Sequence, residues 1–176
     1  MHKDTADTSM TPDPARSAAA PMVRSHKASP RVLLVASGGG HWVELLRVRD
    51  AWLGKDVAYV TVQPGYQSQV AGARFYCVRD ATRWSRWSLL QMVVQVAWVV
   101  LRERPDVVIS SGALPGLVAL RVGKWLGART LWLDSIANVE SLSMSGQRAL
   151  RFADLHLTQW QHLQTSDGPK YRGAVL

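Results

Sequence analysis

Cysteine is almost missing: Cys77 stands alone, so no disulfide can form within the chain. A disulfide-stapled secreted scaffold is excluded, and a lone thiol suits a reducing compartment. Long apolar runs are missing too. The longest, "LLQMVVQVAWVVL" at residues 89–101, is interrupted by Gln91 and Gln95. It falls short of the roughly 20 residues that a membrane-spanning helix needs. The N-terminal stretch has no apolar h-region, so a secretory signal is not expected. No internal repeat is visible. Acidic residues are few, 13 against 21 Lys and Arg, giving a formal +8. The first thirty residues carry only +1 of this, and the remaining +7 lies on the rest. A basic domain favours anionic partners: nucleic acid, acidic lipid head groups or phosphorylated substrates. Charge alone does not choose among them.

What is present is a chain of 176 residues, 47% apolar. That suffices for one domain with a real core and not for two full domains. Residues 1–30 are rich in Ala, Ser, Pro and Asp without apolar periodicity and are expected to form a disordered tail. From residue 31 the pattern alternates. Strands are expected at 31–36, 56–62, 73–78, 106–110, 129–134 and 154–158. Helices are expected at 41–53, 88–104, 114–127 and 143–153, and "QPGYQSQ" reads as a loop. Pro105 stops the long helix, because proline disfavours helical geometry in the residue before it. The alternation predicts an α/β fold: a Rossmann-like parallel sheet with helices on both faces, over residues 31–176.

Eight tryptophans are many for this length. Trp84 and Trp87 alternate with arginines in "RWSRWS", just before the long helix. Two readings fit. The helix is a buried cover on one sheet face, or it lies in a membrane interface. In the second reading Arg83 and Arg86 meet phosphates, and Trp84, Trp87 and Trp98 sit at the head-group boundary.

The stretch "LLVASGGGHWVELLRV" runs from an apolar strand through Gly38, Gly39 and Gly40 to His41 and a helical pattern. Helix starts carry unpaired N–H groups and partial positive charge, and glycines let an anion approach the backbone. The loop is neither the dinucleotide fingerprint nor a Walker loop, so a plain tight turn stays open. His41 is a phosphate donor, a base or a capping residue; Glu44, one turn on, orients it or faces solvent. "SSGALPG" places Ser111 and Gly112 at a second strand end, and two such loops on one edge would flank one crevice. A third cluster, Asp134, Ser135, Asn138 and Glu140 with further serines, follows the strand at 129–134.

The segments "SGGGH", "PDVVISSGALPG", "DSIANVESLSMSG", "ADLHLTQW" and the terminal Y-x-G-x-L, in this order, resemble the asparagine-linked glycosylation 14 family and its bacterial exopolysaccharide relatives. The resemblance covers about residues 31–176. It implies the membrane-associated half of a split GT-B glycosyltransferase, like the N-terminal, acceptor-binding half of such an enzyme. It implies a heterodimer with a separate catalytic, donor-binding subunit. The pair would move a sugar from a UDP donor, as a UDP-N-acetylglucosamine transferase does, onto a polyprenyl-diphosphate-linked saccharide at the cytoplasmic face of the plasma membrane. Gly38, Gly39, Gly40, Ser111 and Gly112 would then hold the acceptor diphosphate. Glu44, Ser135, Asn138 and Glu140 would line the acceptor site, and His41 and Asp134 would stand near the acceptor hydroxyl, where sugar transfer needs a base. Ala174, Val175 and Leu176 would contact the catalytic subunit, unless they form an ordinary terminal strand. No cofactor or metal is expected, and nucleic acid is not expected as a partner. Eukaryotic members begin with a transmembrane helix where this chain begins with a polar tail, so its membrane contact is expected to be peripheral. The alternatives are a self-sufficient UDP-sugar transferase, for which no donor-type site is visible, and a basic nucleic-acid-binding module resting on the Arg–Trp stretch.

Overall fold

The computed structural model describes residues 29–80 and 86–175; the expected tail therefore lies outside the described residues apart from Ser29 and Pro30. Among the described residues, seven strands form one sheet. They are β1 (Arg31–Val35), β2 (Asp56–Thr61), β3 (Arg74–Cys77), β4 (Val107–Ser110), β5 (Arg129–Leu133), β6 (Leu155–Thr158) and β7 (Lys170–Tyr171). Their order is β3-β2-β1-β4-β5-β6-β7, and every neighbouring pair is parallel. The chain steps from β1 to β3 in one direction, then returns to the other side of β1 for β4. That reversal opens a crevice beyond the carboxyl ends of β1 and β4, where doubly wound sheets place their ligands.

Alternation along each strand builds two cores. Leu33 and Val35 of β1, Ala58 and Val60 of β2, and Val108 of β4 face one side. There they meet Met92, Val96, Val99 and Val100 of α2 (Arg86–Glu103) and Ala119 and Leu120 of α3 (Ala113–Trp125). Val32, Leu34, Tyr59 and Ile109 face the other side. They meet Trp42 and Leu45 of α1 (Gly40–Arg47), Trp52, and Val70 of a 3-10 helix, Pro64–Val70. Each fully buried Leu, Val or Met contributes about 1.5–3 kcal/mol. The two-sided burial explains why β1 reads as an unbroken apolar run.

Some expected elements change length. The helix expected at 41–53 is α1 followed by a 3-10 turn, Arg49–Trp52, and Trp52 lies in the α1-side cluster. The loop expected at 63–69 is largely the 3-10 helix Pro64–Val70. The helix expected at 143–153 is the short α4, Met144–Ala149. The two-residue β7 has no counterpart in the expectations, since a bridge that short has no readable period.

Candidate functional site

The three polar segments singled out in the sequence meet at the carboxyl rim. After β1 the ladder continues through Ala36, whose N–H donates to the Val60 carbonyl at 3.0 Å, and then the chain turns. Gly39 adopts φ 58, ψ −131, a conformation that glycine alone takes at little cost, and α1 starts at the next residue. No side chain caps α1 and no acid lies in its first turn, so its positive end is uncovered. Gly112, with φ 147, ψ −176, plays the same part after β4, and α3 is equally uncapped and acid-free. α4 differs: Ser143 Oγ accepts from the Gly146 N–H and closes its N-terminus. Of these three helices, the two that start at the crevice are the ones left open.

His41 joins these loops. Its ring lies directly over Gly112, where any Cβ would overlap the imidazole, and its carbonyl accepts from Ser111 Oγ at 2.6 Å. Its Nδ1 is enclosed without a partner, whereas Nε2 is not enclosed. The Gly112 N–H donates to Ser110 Oγ at 3.1 Å. Ser111 and Gly112 were expected to offer free donors. Instead the Ser111 hydroxyl is spent holding the two loops together and the Gly112 N–H is spent inside its own loop, and the open donors nearby belong to the first turns of α1 and α3.

Two further expectations are corrected. Glu44 neither orients His41 nor faces solvent. It is 4% exposed, and its Oε1 accepts from Ser135 Oγ at 2.8 Å and from the Ile136 N–H at 3.0 Å. The amphipathic turn of α1 rotates it beneath the rim loop. Asp134 is not a free carboxylate. It is 1% exposed and accepts from Ser143 Oγ at 2.7 Å, the Ser143 N–H at 3.0 Å, Asn138 Nδ2 at 3.2 Å and Trp132 Nε1 at 3.4 Å. Three of these donors meet Oδ1 and only the Ser143 N–H meets Oδ2, so the buried carboxylate shapes the 134–143 loop while Oδ2 keeps accepting capacity. Asn138 and Ser135 are committed to the same arrangement, and Glu140 is exposed.

Sequence reasoning missed Tyr66. Its hydroxyl accepts from the Gly39 N–H at 3.1 Å, and its ring stacks on Trp42 with centroids 4.9 Å apart and planes 13° from parallel. Trp42 Nε1 in turn donates to Gln69 Oε1 at 2.8 Å. The 3-10 helix therefore forms the outer wall of the glycine loop. The one available signal was its place after β2, on the same sheet edge.

Beneath the rim, His156 of β6 is buried beside Trp132, 6.4 Å between ring centroids, with neither ring nitrogen partnered. Burial pushes its pKa down to about 4, against a smaller upward pull from the Asp134 charge.

Away from the rim, Arg83 and Trp84 lie outside the described residues. Arg86 and Trp87 open α2 and are exposed, as is Trp98, with the Arg102 guanidinium 5.4 Å above its ring. Trp87, Leu90, Val94, Trp98 and Leu101 are all exposed, and their spacing puts them on one stripe opposite the buried face. α2 thus buries one side in the core and presents a second apolar side outward. Among the described residues no helix is long and apolar enough to cross a membrane. No group of three or more His, Cys, Asp or Glu among them is arranged to hold a metal ion. Of the terminal residues, Ala174 is exposed, Val175 is half-buried, and Leu176 lies outside the described residues.

Comparison with known proteins agrees with this architecture. A family model described as "Oligosaccharide biosynthesis protein Alg14 like" matches residues 67–175. The UDP-N-acetylglucosamine transferase subunit ALG14 of Eremothecium gossypii is 28% identical over 75% of this chain and 73% of its own length. The subunit of the same name from Schizosaccharomyces pombe is 34% identical over 50% of this chain and 42% of its own. Among solved structures, Acinetobacter baumannii MurG matches with a TM-score of 0.65 at 13% identity, over 81% of this chain and 45% of that one. A UDP-N-acetylglucosamine 2-epimerase from Rickettsia bellii matches with a TM-score of 0.63 at 14% identity, over 84% and 45%. These likenesses establish a Rossmann-like fold matching about half of a GT-B chain. With a family model covering more than half of its residues, the chain belongs to the Alg14-like family.

Proposed function

We propose that this chain is the acceptor-binding subunit of a two-component UDP-sugar glycosyltransferase and that it works on a membrane surface. The observation that carries the reading is the pair of uncapped, acid-free helix N-termini converging at the β1–β4 crevice. Such a pair suits a diphosphate, because two positive helix ends and their free N–H groups face two adjacent anionic groups. Gly38, Gly39 and Gly40 allow close approach of the first phosphate, and the first turn of α3 receives the second. His41, with Nε2 open, is the titratable group that reaches the acceptor hydroxyl, as base or as donor. Asp134 and Glu44 hold the rim in shape.

The relatives are UDP-N-acetylglucosamine transferase subunits, which supports UDP-N-acetylglucosamine as the sugar donor. A fold matching about 45% of a MurG chain supports a separate donor-binding subunit. The lipid-linked acceptor follows from the diphosphate crevice and the outward apolar stripe of α2 on one domain. That stripe, flanked by Arg86 and Arg102, fits an anionic membrane surface on which tryptophans settle at the head groups. The cytoplasmic face and the polyprenyl carrier belong to this proposal, as does a role in exopolysaccharide or other lipid-linked glycan assembly. The proposal also takes residues 1–30 as a tail and residues 31–176 as the working domain.

The test is reconstitution. The chain and its co-purifying donor subunit, together and apart, are given UDP-N-acetylglucosamine and polyprenyl-diphosphate-linked saccharide on anionic vesicles. Transfer by the pair alone is expected. Turnover by the chain unaided, or a pair indifferent to polyprenyl diphosphates, would overturn the proposal.

A further inference from the structure

The C-terminal segment touches both the end of α1 and the loop that follows β5. Gln159 follows β6, is 3% exposed, and uses both ends of its amide. Its Nε2 donates to the Asp134 carbonyl at 3.1 Å, and its Oε1 accepts from the Val175 N–H at 2.9 Å. A carbonyl can only accept and an N–H can only donate, so these two partners fix the amide's orientation. The Val175 carbonyl then accepts from Arg47 Nη1 at 2.9 Å. Arg47 is the last residue of α1, one turn beyond Glu44, which holds Ser135 and Ile136. The hydrogen bonds close a ring: rim loop, Gln159, Val175, Arg47, α1, Glu44, rim loop.

The residues after Gln159 add to its grip. Trp160 Nε1 donates to the Ile136 carbonyl at 2.8 Å, and His162 Nε2 lies 2.7 Å from the Val139 carbonyl. The segment at 159–162 therefore holds the outer side of the 134–139 loop while Glu44 holds its inner side. Val175 ties the two sides together from outside.

We infer that the C-terminal tail is a strap that sets the spacing between α1 and the 134–143 loop, with Gln159 as a positioning residue for the acceptor site. The geometric part stands on the ring of hydrogen bonds alone. The kinetic part rests on the acceptor-binding reading above. The strap differs from a terminal hook for a second subunit, because cutting it loosens the crevice itself.

Three substitutions in the full chain separate these roles. Arg47→Met releases the Val175 carbonyl at an exposed position. Gln159→Leu removes both amide contacts. Gln159→Glu keeps the acceptor for Val175 but loses the donor to Asp134. Amide exchange at Ile136, Ala137, Asn138 and Ser143 is expected to quicken about tenfold in each, since those N–H groups bond to Glu44, Ser135 or Asp134. With the donor subunit present, the acceptor KM is expected to rise about three- to tenfold while kcat stays within about twofold. Unchanged exchange in Arg47→Met, which folds whether or not the Gln159 variants do, overturns the strap. Faster exchange with an unchanged acceptor KM, or a loss confined to subunit affinity, overturns the positioning role. If the wild-type pair transfers no sugar at all, the acceptor-binding reading fails while the exchange measurement still decides the strap.

Discussion

At the scale of single residues, Gly40 and Gly112 stand on the same rim and obey opposite constraints. A Cβ on Gly40 would meet nothing within 4 Å, and the residue opens α1. Gly40→Ala is therefore expected to leave stability within about 0.5 kcal/mol or raise it slightly, since alanine loses less backbone entropy in a helix than glycine does. Gly112 combines a φ of 147 with a Cβ position already filled by the His41 ring. Gly112→Ala is expected to cost about 1–3 kcal/mol of stability. It should also reduce transfer much further than Gly40→Ala, because it moves the imidazole that reaches the acceptor. Urea unfolding and turnover of the two variants, measured side by side, check this. An equal loss of activity in both would mean that the seat of His41 does not matter. Asp134 teaches a related point. A carboxylate in a polar cluster at a strand end resembles a base in the sequence, yet here the surrounding donors are its own loop's N–H and hydroxyl groups.

At the scale of elements, α2 has two apolar faces and one internal anchor. Its inner face is core. Its last residue, Glu103, is buried and accepts from Arg74 Nε at 3.0 Å and from the Tyr76 hydroxyl, which fixes the helix end against β3. The outer stripe is held more lightly: Trp98 meets Tyr76 of β3 edge-on with ring centroids 6.5 Å apart, so changes there should cost the fold little. The double variant Trp87→Gln, Trp98→Gln is expected to lose no more than about 1.5 kcal/mol of stability, the worth of the Trp98–Tyr76 ring contact. It should bind anionic vesicles at least about tenfold more weakly in sedimentation, having lost two interfacial tryptophans. Undiminished vesicle binding would move the membrane contact elsewhere. The strands and the long helix were legible in the sequence because each is an apolar run bounded by Gly, Pro or polar breaks. The rim was legible only in part. "SGGGH" and "SSG" marked the two strand ends, but Glu44 and Ser135 are 91 residues apart and Arg47 and Val175 are 128 apart. Local periodicity carries no information about partners so distant. Tyr66 escaped for the same reason: a tyrosine in a polar loop looks solvated until the loop folds onto Trp42.

At the scale of the whole molecule, pH links the buried centre to overall stability. His156 is buried neutral with a pKa of about 4, whereas an unfolded histidine titrates near 6.5. Between those values the unfolded chain binds a proton that the folded chain refuses, so stability falls as pH drops and is fully retained above the unfolded value. From pH 7.5 to pH 5 the loss is expected to be about 2 kcal/mol, the linkage integral for those two constants. Asp154 acts in the same direction at lower pH: its bond from Lys124 holds its pKa below the usual value, so that contribution disappears as acid protonates it. The molecule's +8 formal charge also grows in acid and adds self-repulsion. The histidine part can be isolated. His156→Leu removes the titrating group and fills its place with a side chain suited to the neighbouring Trp132. Urea midpoints between pH 7.5 and 5 should fall steadily in the wild type and stay nearly flat in the variant. Parallel curves would show that the acid sensitivity in that window arises elsewhere, and that His156 finds a partner for its proton in the folded chain.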